Sequence, residues 1–332
     1  MRYLLRRLLT QKGQPDQLVL DPFSGLEFMR SRLIKAARMG KRLFKNLLCA
    51  TPMGRRFFFP PARRAVTLGP DDARYSWRLF TRQFDRLREA GFSAEAQHIL
   101  DVGPGRNIGS ALLWWAANGG GSVSVVLWDV AANMMVNEQA LRDSSRALIE
   151  AAETDQPPLP AMLEHLHGVA EGHELPEIAY LVCDDEQFAS RVQTSFDLIL
   201  SHSCFEHIWD PVPTLSILAE RTASEGWQFI QVDLMDHGSR ETNYLEMLEW
   251  SDAVYWLTTR FADGVNRWRA QQYVDLYDSL GLNLIAEDRR QAEELPIARE
   301  RLARRFRELS DRELLTTELV LMTHGHRPVD ST

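Results

Sequence analysis

The chain has 332 residues, of which 45% are hydrophobic and 25% charged. These proportions are ordinary for a globular protein and argue against disorder, and the absence of an apolar run of about eighteen residues predicts no membrane span. The three cysteines, Cys49, Cys183 and Cys204, lack the even number and the spacing of a disulfide framework. We therefore expect reduced thiols and a cytoplasmic protein.

Charge is distributed unevenly along the chain. The net charge is −8, yet residues 1–64 carry fifteen lysines and arginines against three acids, so this segment is at +12 and the remainder at −20. An acidic body repels nucleic-acid phosphates, so we do not expect a nucleic-acid partner; only the basic segment keeps that alternative open. We predict a basic helical N-terminal extension over residues 1–64 and a main domain over residues 65–332.

The basic segment contains one predicted helix, Leu26–Leu48. Apolar residues recur along it at helical spacing: Leu26, Met29, Leu33, Ala36, Ala37, Phe44, Leu47 and Leu48. Basic residues occupy much of its remaining surface: Arg30, Arg32, Lys35, Arg38, Lys41, Arg42 and Lys45. Two interpretations stay open. The apolar stripe packs on the main domain, as such stripes most often do, or it binds peripherally to an anionic membrane, here the inner face.

Predicted helices and strands alternate in the main domain. The strands are Gln97–Val102, Ser122–Trp128, Ile178–Cys183, Phe196–Ser201, Trp227–Leu234, Leu282–Ala286 and Thr316–Met322. The helices are Tyr75–Ala90, one that begins at Asn107, Asn133–Glu153, Pro213–Ser224 and Arg267–Leu280. This alternation is typical of an α/β fold with a doubly wound, mostly parallel seven-stranded sheet. Its ligand crevice is expected beyond the carboxyl ends of the strands.

The first strand ends in an acid and a glycine turn. Residues Asp101–Gly105 read D-V-G-P-G, and glycines at such a turn let the backbone approach a ligand closely while the next helix presents free N–H groups. Asp129 follows the second strand, where a nucleotide ribose would be held by its hydroxyls. The two features predict an adenosine-containing cofactor. The spacing from Gly103 to Gly109 fits the dinucleotide fingerprint poorly, which leaves an NAD(P)-dependent oxidoreductase as the weaker alternative.

Four motifs in register resemble the class I S-adenosylmethionine-dependent methyltransferases. They are D-V-G-P-G at Asp101–Gly105, Asp129, C-D-D-E-Q-F at Cys183–Phe188, and F-D-L-I-L-S-H-S-C-F-E-H-I-W-D-P at Phe196–Pro211. The last string is similar to the strand-4 signature of the small-molecule branch of that family. The two late strands suit the family's C-terminal hairpin. The resemblance implies methyl transfer as the activity and S-adenosylmethionine as the cofactor.

The resemblance also implies a cofactor role for individual positions. Gly103 and Gly105 would let the backbone pass close to the methionine part, and Asp101 would receive its ammonium group. Asp129 would accept both ribose hydroxyls, although a strand-end aspartate taken alone is often a helix cap.

Two further positions of this resemblance concern the adenine and the sulfonium. Asp184 or Asp185 would accept from the adenine amino group, but this acid pair could equally cap the helix that follows. Ser201 and His202, at the tip of strand 4, would lie beside the sulfonium.

Methyl transfer to a hydroxyl benefits from a base close to the methyl group. The candidates are His207 and His237, with His202 behind them, all expected on the crevice side of strands 4 and 5. Glu206 and His207 could instead form an internal hydrogen-bonded pair that orients the loop. Because no HxxxH or similar ligand spacing is present, we expect no metal site.

An aromatic-rich segment at about residues 235–268 lies where the family usually places its acceptor-binding cap. The string D-H … L-E-W-S-D … W … N-R-W-R, between Asp236 and Arg269, resembles methyltransferases of bacterial surface-polysaccharide and glycan functions. Aromatic faces with Asn266 and Arg267 would suit a sugar or another polar ring, whereas core packing of a lid helix is the competing interpretation for the aromatics. We expect an O-methyltransferase for a small-molecule or glycan-type acceptor. The alternative is a non-catalytic, methyltransferase-like binding or scaffold module recruited by its basic helix.

Overall fold

The computed structural model describes residues 37, 39–62, 65, 67–152, 160–262 and 264–326. One sheet contains seven strands: β1 (His98–Val102), β2 (Ser124–Asp129), β3 (Glu177–Val182), β4 (Phe196–His202), β5 (Thr222–Asp233), β6 (Leu282–Gln291) and β7 (Thr316–His326). Their order across the sheet is β3-β2-β1-β4-β5-β7-β6, and only β7 runs antiparallel to its neighbours. The strand order reverses between β1 and β4, which is where a doubly wound sheet opens its ligand crevice.

Helices cover both faces of this sheet. In chain order they are α1 (39–49), α2 (Pro52–Phe58), α3 (Pro70–Glu89), α4 (Ile108–Ala117), α5 (Glu138–Ala152), α6 (Ala161–Glu171), α7 (Asp185–Arg191), α8 (Val212–Arg221), α9 (Arg240–Asn243), α10 (Glu246–Glu249), α11 (Asp252–Thr259), α12 (Ala270–Ser279) and α13 (Asp311–Leu315). Helices α3 to α6 pack on one face, and α7, α8 and α12 pack on the other.

Alternating side chains of the strands supply the two hydrophobic cores. Ile99 of β1 joins the core beneath α3 to α6, whereas its neighbour Leu100 joins the core beneath α7, α8 and α12. This is the period of two that a strand covered on both faces must have. A third, smaller core holds the segment after β5 together with the loop before β7, and it includes Leu248, Tyr255 and Phe306.

The predicted fold class is confirmed, with differences at the element ends. Strand β5 begins at Thr222, inside the predicted helix Pro213–Ser224, because Thr222 pairs with Phe196 of β4. The predicted helix Asn133–Glu153 begins only at Glu138, after the Asn137 side chain accepts from the amide of Ala140; its predicted last residue lies outside the described residues. Helix α6 was not expected, whereas α7 is the helix that the acid pair was expected to cap.

Helix α1 docks on the main domain through polar groups. The Asn46 amide donates to Leu257 O at 2.8 Å, and its Oδ1 accepts from the backbone N–H of Phe261 at 2.6 Å. Arg42 donates to Asp236 across 2.8 Å. These contacts fix the orientation of α1 about its axis.

The apolar stripe of α1 consequently faces outward. Phe44 is 63% exposed and Leu47 is 58% exposed, so the interpretation that the stripe packs on the main domain does not hold for these residues. Leu26, Met29, Leu33 and Ala36 lie outside the described residues. Among the helices that the structure describes, we find none with the length and apolar character of a membrane span.

Candidate active site

Two adjoining cavities open at the carboxyl ends of β1, β4 and β5. The turn cavity, of about 280 Å³, is lined by the glycine turn after β1 and by Asp101. The histidine cavity, of about 520 Å³, is lined by residues that follow β4 and β5. Tyr75, Leu79, His202 and Ser203 line both cavities, which therefore form one continuous crevice.

The glycine turn has a backbone that only glycine adopts without strain. Gly103 has φ +69° and Gly105 has φ +61°. A Cβ on Gly103 would lie 2.2 Å from Cys204 Sγ, so the segment that follows β4 packs directly against this backbone. A Cβ on Gly105 would meet no heavy atom within 4 Å, which leaves its backbone open to a ligand. Both predicted glycines thus line the turn cavity.

Asp101 is a buried carboxylate at the edge of the turn cavity. Its exposed fraction is 7%, and burial raises the pKa of Asp101 to about 7, although a hydrogen bond with Ser110 lowers it. The neighbouring negative charge of Asp129 raises that pKa further. A cationic group of a ligand in the cavity would favour the ionised carboxylate.

Asp129 ends β2 and turns toward the loop that follows. Its Oδ1 accepts from the Ala131 amide at 3.0 Å and its Oδ2 accepts from Asn133 Nδ2 at 2.7 Å. Burial raises the pKa of Asp129, while the bond from Asn133 lowers it. Each carboxylate oxygen keeps a second lone pair for a ligand hydroxyl. Asp129 does not line either of the two cavities.

Asp184 and Asp185 have separate structural partners. Asp184 caps α7, where its side chain accepts from the Gln187 amide at 2.9 Å. Asp185 accepts from the Thr214 hydroxyl at 3.0 Å. The capping interpretation therefore holds for Asp184, and neither acid lines the turn cavity. Their contact with an adenine stays a prediction.

Ser201 and His202, at the end of β4, have different environments. Ser201 is fully buried, and its hydroxyl donates to Val102 O at 3.0 Å, which ties β4 to β1. His202 faces the crevice, where Nε2 lies 2.9 Å from the Tyr75 hydroxyl and Nδ1 lies 3.0 Å from Gln231 Oε1. Burial lowers the pKa of His202, while the hydrogen bond with Gln231 raises it by less. His202 therefore lies between two polar partners in surroundings that favour its neutral form.

Glu206, His207 and His237 meet in the histidine cavity. One possible ligand atom from each lies within 4.8 Å of the others, and the two imidazole centroids are 5.0 Å apart. His237 Nε2 lies 3.4 Å from Asp233 Oδ2. Sequence spacing did not reveal this group because His237 follows β5, whereas the other two follow β4.

Glu206 is the unusual member of this group. It is 1% exposed, and both of its carboxylate oxygens lack a hydrogen-bond partner. Burial raises the pKa of Glu206 to about 8. The interpretation of Glu206 and His207 as an internal hydrogen-bonded pair is therefore wrong.

Asn266 fixes the turn that carries Glu206, and it also lines a cavity among the aromatic side chains of the predicted cap. Its buried amide Nδ2 donates to the carbonyls of Phe205 at 2.7 Å and Ile208 at 2.8 Å. Its backbone N–H donates to Glu206 O at 2.5 Å. Arg267 donates to Trp250 O at 2.7 Å and also pairs with Asp252. The predicted Asn–Arg pair thus has structural hydrogen bonds and also lines the cavity of the aromatic residues, so its contact with an acceptor stays a prediction.

The aromatic side chains of the predicted cap surround a third cavity of about 650 Å³. Trp209, Tyr255, Trp256 and Trp268 line it, and it shares no lining residue with the turn or histidine cavities. The cap instead contributes Met235, His237 and Arg240 to the histidine cavity. Acceptor binding by the aromatic residues stays a prediction.

Sequence reasoning missed the contribution of α3 to the crevice. Tyr75, Arg78, Leu79 and Arg82 line the histidine cavity from this helix. Their spacing of three, four and seven residues places them on one helical face, a pattern that was present in the sequence. Arg82 also donates to Gln231 Oε1 at 2.6 Å.

Neither a family model nor a curated protein matches the sequence. Solved structures do match. The plantazolicin methyltransferase BamL, in complex with a triazolic desmethylPZN analogue and SAH, is 13% identical with a TM-score of 0.41 over 89% of this chain and 98% of BamL. An O-methyltransferase family protein from Burkholderia thailandensis is 13% identical with a TM-score of 0.40 over 77% of this chain and 59% of its own. The N-methyltransferase NodS from Bradyrhizobium japonicum WM9 is 10% identical with a TM-score of 0.36, over 75% of this chain and 96% of NodS. All three are methyltransferases by name, the class that the sequence resembles.

Proposed function

We propose that this chain is an S-adenosylmethionine-dependent methyltransferase that methylates a hydroxyl of a small-molecule or glycan-type acceptor. The supporting observation is the crevice at the strand-order reversal, where a glycine turn beside a buried carboxylate adjoins a larger cavity with histidines and arginines. Such a crevice lets a nucleophile and a methyl donor meet in a fixed orientation, which is most of what methyl transfer requires.

The residues of the turn cavity fit the methionine part of this cofactor. Gly105 leaves space beside its backbone, and Asp101 is a carboxylate that a ligand ammonium would stabilise in its ionised form. Asp129 has lone pairs for ribose hydroxyls, and Asp184 or Asp185 would meet the adenine. When bound, the cofactor supplies an activated methyl group toward the histidine cavity.

The histidine cavity would receive the acceptor. A hydroxyl must lose its proton as it is methylated, and His207 or His237 would take it directly. Asp233 orients the His237 ring through the 3.4 Å contact. Arg78, Arg82, Arg240 and Arg290 also line this cavity, against the acids Glu206, Asp233 and Glu318, and a carboxylate or phosphate on the acceptor would suit them.

Calorimetric titration of the purified full-length chain with S-adenosylmethionine tests the proposal. We expect saturable binding, which Asp129→Ala weakens about 10- to 100-fold, because hydrogen bonds to a charged group are worth about 1.5–3 kcal/mol. Asp197→Ala is the matched control, since Asp197 accepts from Gln97 and His98 amides at the opposite end of the sheet. Methyl transfer is then screened against nucleotide sugars and glycans. Absence of binding to the wild-type chain would remove the enzyme and favour the scaffold alternative.

We also propose that the N-terminal region attaches peripherally to an anionic membrane on its cytoplasmic face. Helices α1 and α2 expose the large apolar side chains Leu43, Phe44, Leu47, Leu48, Met53 and Phe57. Lys41, Lys45, Arg55 and Arg56 accompany them on the same two helices. Apolar insertion combined with attraction of basic residues is how peripheral helices bind anionic lipid. Co-sedimentation with vesicles tests this attachment.

A further inference from the structure

The histidine cavity contains a carboxylate whose burial the fold alone does not explain. Glu206 is 1% exposed, and neither carboxylate oxygen has a hydrogen-bond partner of normal geometry, although the nearby backbone N–H groups of Glu206 and Asp233 lower its pKa. A buried carboxyl without a partner either takes up a proton or binds a cation, and a cation would make its ionised form favourable. Among the residues that the structure describes, no side-chain cation is hydrogen-bonded to it.

The groups nearest to this carboxylate are ligands for a metal ion. His207 and His237 each bring an imidazole nitrogen so that the three possible ligand atoms lie within 4.8 Å of one another. Carboxylate oxygens and imidazole nitrogens bind divalent first-row metals at about 2.0–2.2 Å, so atoms around one such ion are separated by about 3–4 Å. The three atoms are near enough to reach one ion after small movements of their side chains.

The surrounding residues hold this geometry from separate elements. Asn266 ties the Phe205–His207 turn to the segment before α12. Its Nδ2 donates to the carbonyl of Phe205, the first residue of the turn, and to that of Ile208, which follows the turn. Asp233 Oδ2 lies 3.4 Å from His237 Nε2, so a ring that binds metal through Nδ1 would keep a carboxylate on its other nitrogen. A carboxylate behind a metal-binding histidine is the usual outer partner of such sites.

We propose that Glu206, His207 and His237 form a binding site for a divalent transition-metal cation in the histidine cavity. Two imidazoles and one carboxylate favour Zn²⁺, Fe²⁺, Co²⁺ or Mn²⁺ over Mg²⁺ and Ca²⁺, which prefer oxygen ligands. Three protein ligands leave positions for water or for an acceptor oxygen, as in a catalytic site. This proposal replaces the expectation, drawn from spacing along the chain, that no metal binds.

The role of the cation in catalysis rests on the proposed function. A bound cation would lower the pKa of an acceptor hydroxyl on it, and the proton would leave to water of the open cavity. The acceptor oxygen would then bond to the methyl carbon while the carbon–sulfur bond breaks with its electron pair remaining on sulfur. The products would be a methyl ether and S-adenosylhomocysteine. With the cation bound, His207 and His237 would hold it, and this route would replace the direct proton transfer to either histidine.

The experiment uses the full-length chain after dialysis against a chelator. Co²⁺ is titrated with the visible absorption of the bound ion as the readout, followed by competition with Zn²⁺, Mn²⁺ and Mg²⁺. We expect one equivalent of Co²⁺ to bind, Zn²⁺ to displace it and Mg²⁺ to leave it in place. Glu206→Gln and His237→Ala should each weaken binding at least about tenfold, since even loss of an outer partner commonly costs 10- to 100-fold.

Two controls separate loss of the site from loss of the fold. His173→Ala removes an exposed histidine that lies 3.4 Å from Glu171 and should bind Co²⁺ as the wild type does. Glu206→Gln replaces an unpartnered buried charge with a neutral group of the same shape, so the metal-free variant should melt no lower than the wild type. Zn²⁺ should raise the melting temperature of the wild type and not that of Glu206→Gln.

The proposal is overturned if the wild type binds no stoichiometric Co²⁺ or Zn²⁺, or if Glu206→Gln and His237→Ala bind as tightly as the wild type. Titration of the same preparation with S-adenosylmethionine keeps the two proposals distinct. Cation binding without cofactor binding would support this site and reject the methyltransferase. Cofactor binding without cation binding would support the methyltransferase and reject this site.

Discussion

Burial of Asp101 determines how its charge responds to pH. With a pKa of about 7, the carboxyl is protonated in a large fraction of molecules at neutral pH, unlike an ordinary surface aspartate. A ligand ammonium in the turn cavity would bind the ionised form. The proton must therefore leave before or during binding, and this requirement makes cofactor affinity depend on pH in a defined direction.

We predict that S-adenosylmethionine binds more weakly as the pH falls below about 7, by up to tenfold per pH unit once the carboxyl is fully protonated, because each unit costs about 1.4 kcal/mol for deprotonation. Above the pKa the affinity should be constant until the ligand amino group itself loses its proton. Calorimetric titration between about pH 5.5 and pH 7.5 measures this dependence. Asp101→Asn should bind weakly and with the same affinity throughout that range.

Asp197→Asn is the control for this titration, because Asp197 accepts two backbone amides at the opposite end of the sheet. It should show the same pH dependence as the wild type. A wild-type affinity that does not change with pH would mean that Asp101 does not receive the ammonium.

The sequence predicted the site residues that belong to one local motif. It did not predict which residues from distant parts of the chain lie next to each other in the folded protein. Gly103 and Gly105 follow directly from the D-V-G-P-G turn, because a strand that ends in a glycine turn has the same local geometry in any such sheet. Glu206 and His237 are separated by α8 and β5, so only the parallel pairing of β4 with β5 brings them together. Ser201 was expected beside the cofactor, but its hydroxyl donates to Val102 O inside the sheet. Only the register of β4 with β1 shows this hydrogen bond.

At the scale of elements, the 3₁₀ turn Phe205–His207 depends on one amide for its position. Asn266 approaches it from the segment between α11 and α12, and its Nδ2 satisfies the carbonyls of Phe205 and Ile208. A three-residue turn has few hydrogen bonds of its own, so these external bonds decide where Glu206 and His207 point. Asn266 is thus a positioning residue for the histidine cavity.

We predict that Asn266→Ala lowers the free energy of unfolding by about 1–3 kcal/mol, because the carbonyls of Phe205 and Ile208 each lose one donor. It should also weaken Co²⁺ binding and lower kcat, while affinity for S-adenosylmethionine stays near that of the wild type, since the turn cavity does not contain Asn266. Chemical denaturation, the Co²⁺ titration and steady-state kinetics measure these three effects.

Asn118→Ala provides a matched comparison, because both asparagines are 6% exposed. Asn118 donates to Trp114 O and accepts from the Ala96 amide at the far end of β1. Its loss should cost similar stability and leave Co²⁺ binding unchanged. If Asn266→Ala loses stability alone, with Co²⁺ affinity and kcat intact, the positioning role is refuted.

The sequence predicted the number and order of the strands better than the ends of the helices. Strand cores such as Leu198–Leu200 are apolar runs that only a covered sheet accommodates, so their identity is fixed locally. The boundary between α8 and β5 depends instead on a tertiary contact, the pairing of Thr222 with Phe196. Helix α7 begins at its own cap, Asp184, which is one of the two roles that the sequence left open for the acid pair.

At the scale of the whole molecule, α1 combines a polar attachment with an apolar outer face. Asn46 and Arg42 hold the helix to the main domain through Leu257, Phe261 and Asp236. The periodicity of the sequence could show that one face of α1 is apolar, but not that the polar face would dock. The basic charge of residues 1–64 is therefore carried on a helix whose hydrophobic side remains available.

We predict that the full chain pellets with vesicles of anionic lipid and is released by salt. Screening shortens the reach of its basic charges from about 10 Å at 0.1 M to about 3 Å at 1 M. Phe44→Ser combined with Leu47→Ser should lower partitioning more than tenfold, since full burial of each apolar side chain is worth about 1.5–3 kcal/mol. Deletion of Met1–Arg64 should abolish pelleting. Sedimentation over a series of lipid concentrations yields the partition coefficients.

Leu175→Ser is the control for the loss of an exposed apolar side chain, because Leu175 is 64% exposed and precedes β3, far along the chain from α1. It should pellet as the wild type does. Vesicles of neutral lipid separate apolar insertion from electrostatic attraction. If insertion alone causes attachment, the chain should also bind to neutral vesicles, whereas attraction of the basic residues requires anionic lipid. Equal pelleting of the full chain, the double variant and the deleted chain would exclude membrane attachment through this region and leave the outer face of α1 for a protein partner.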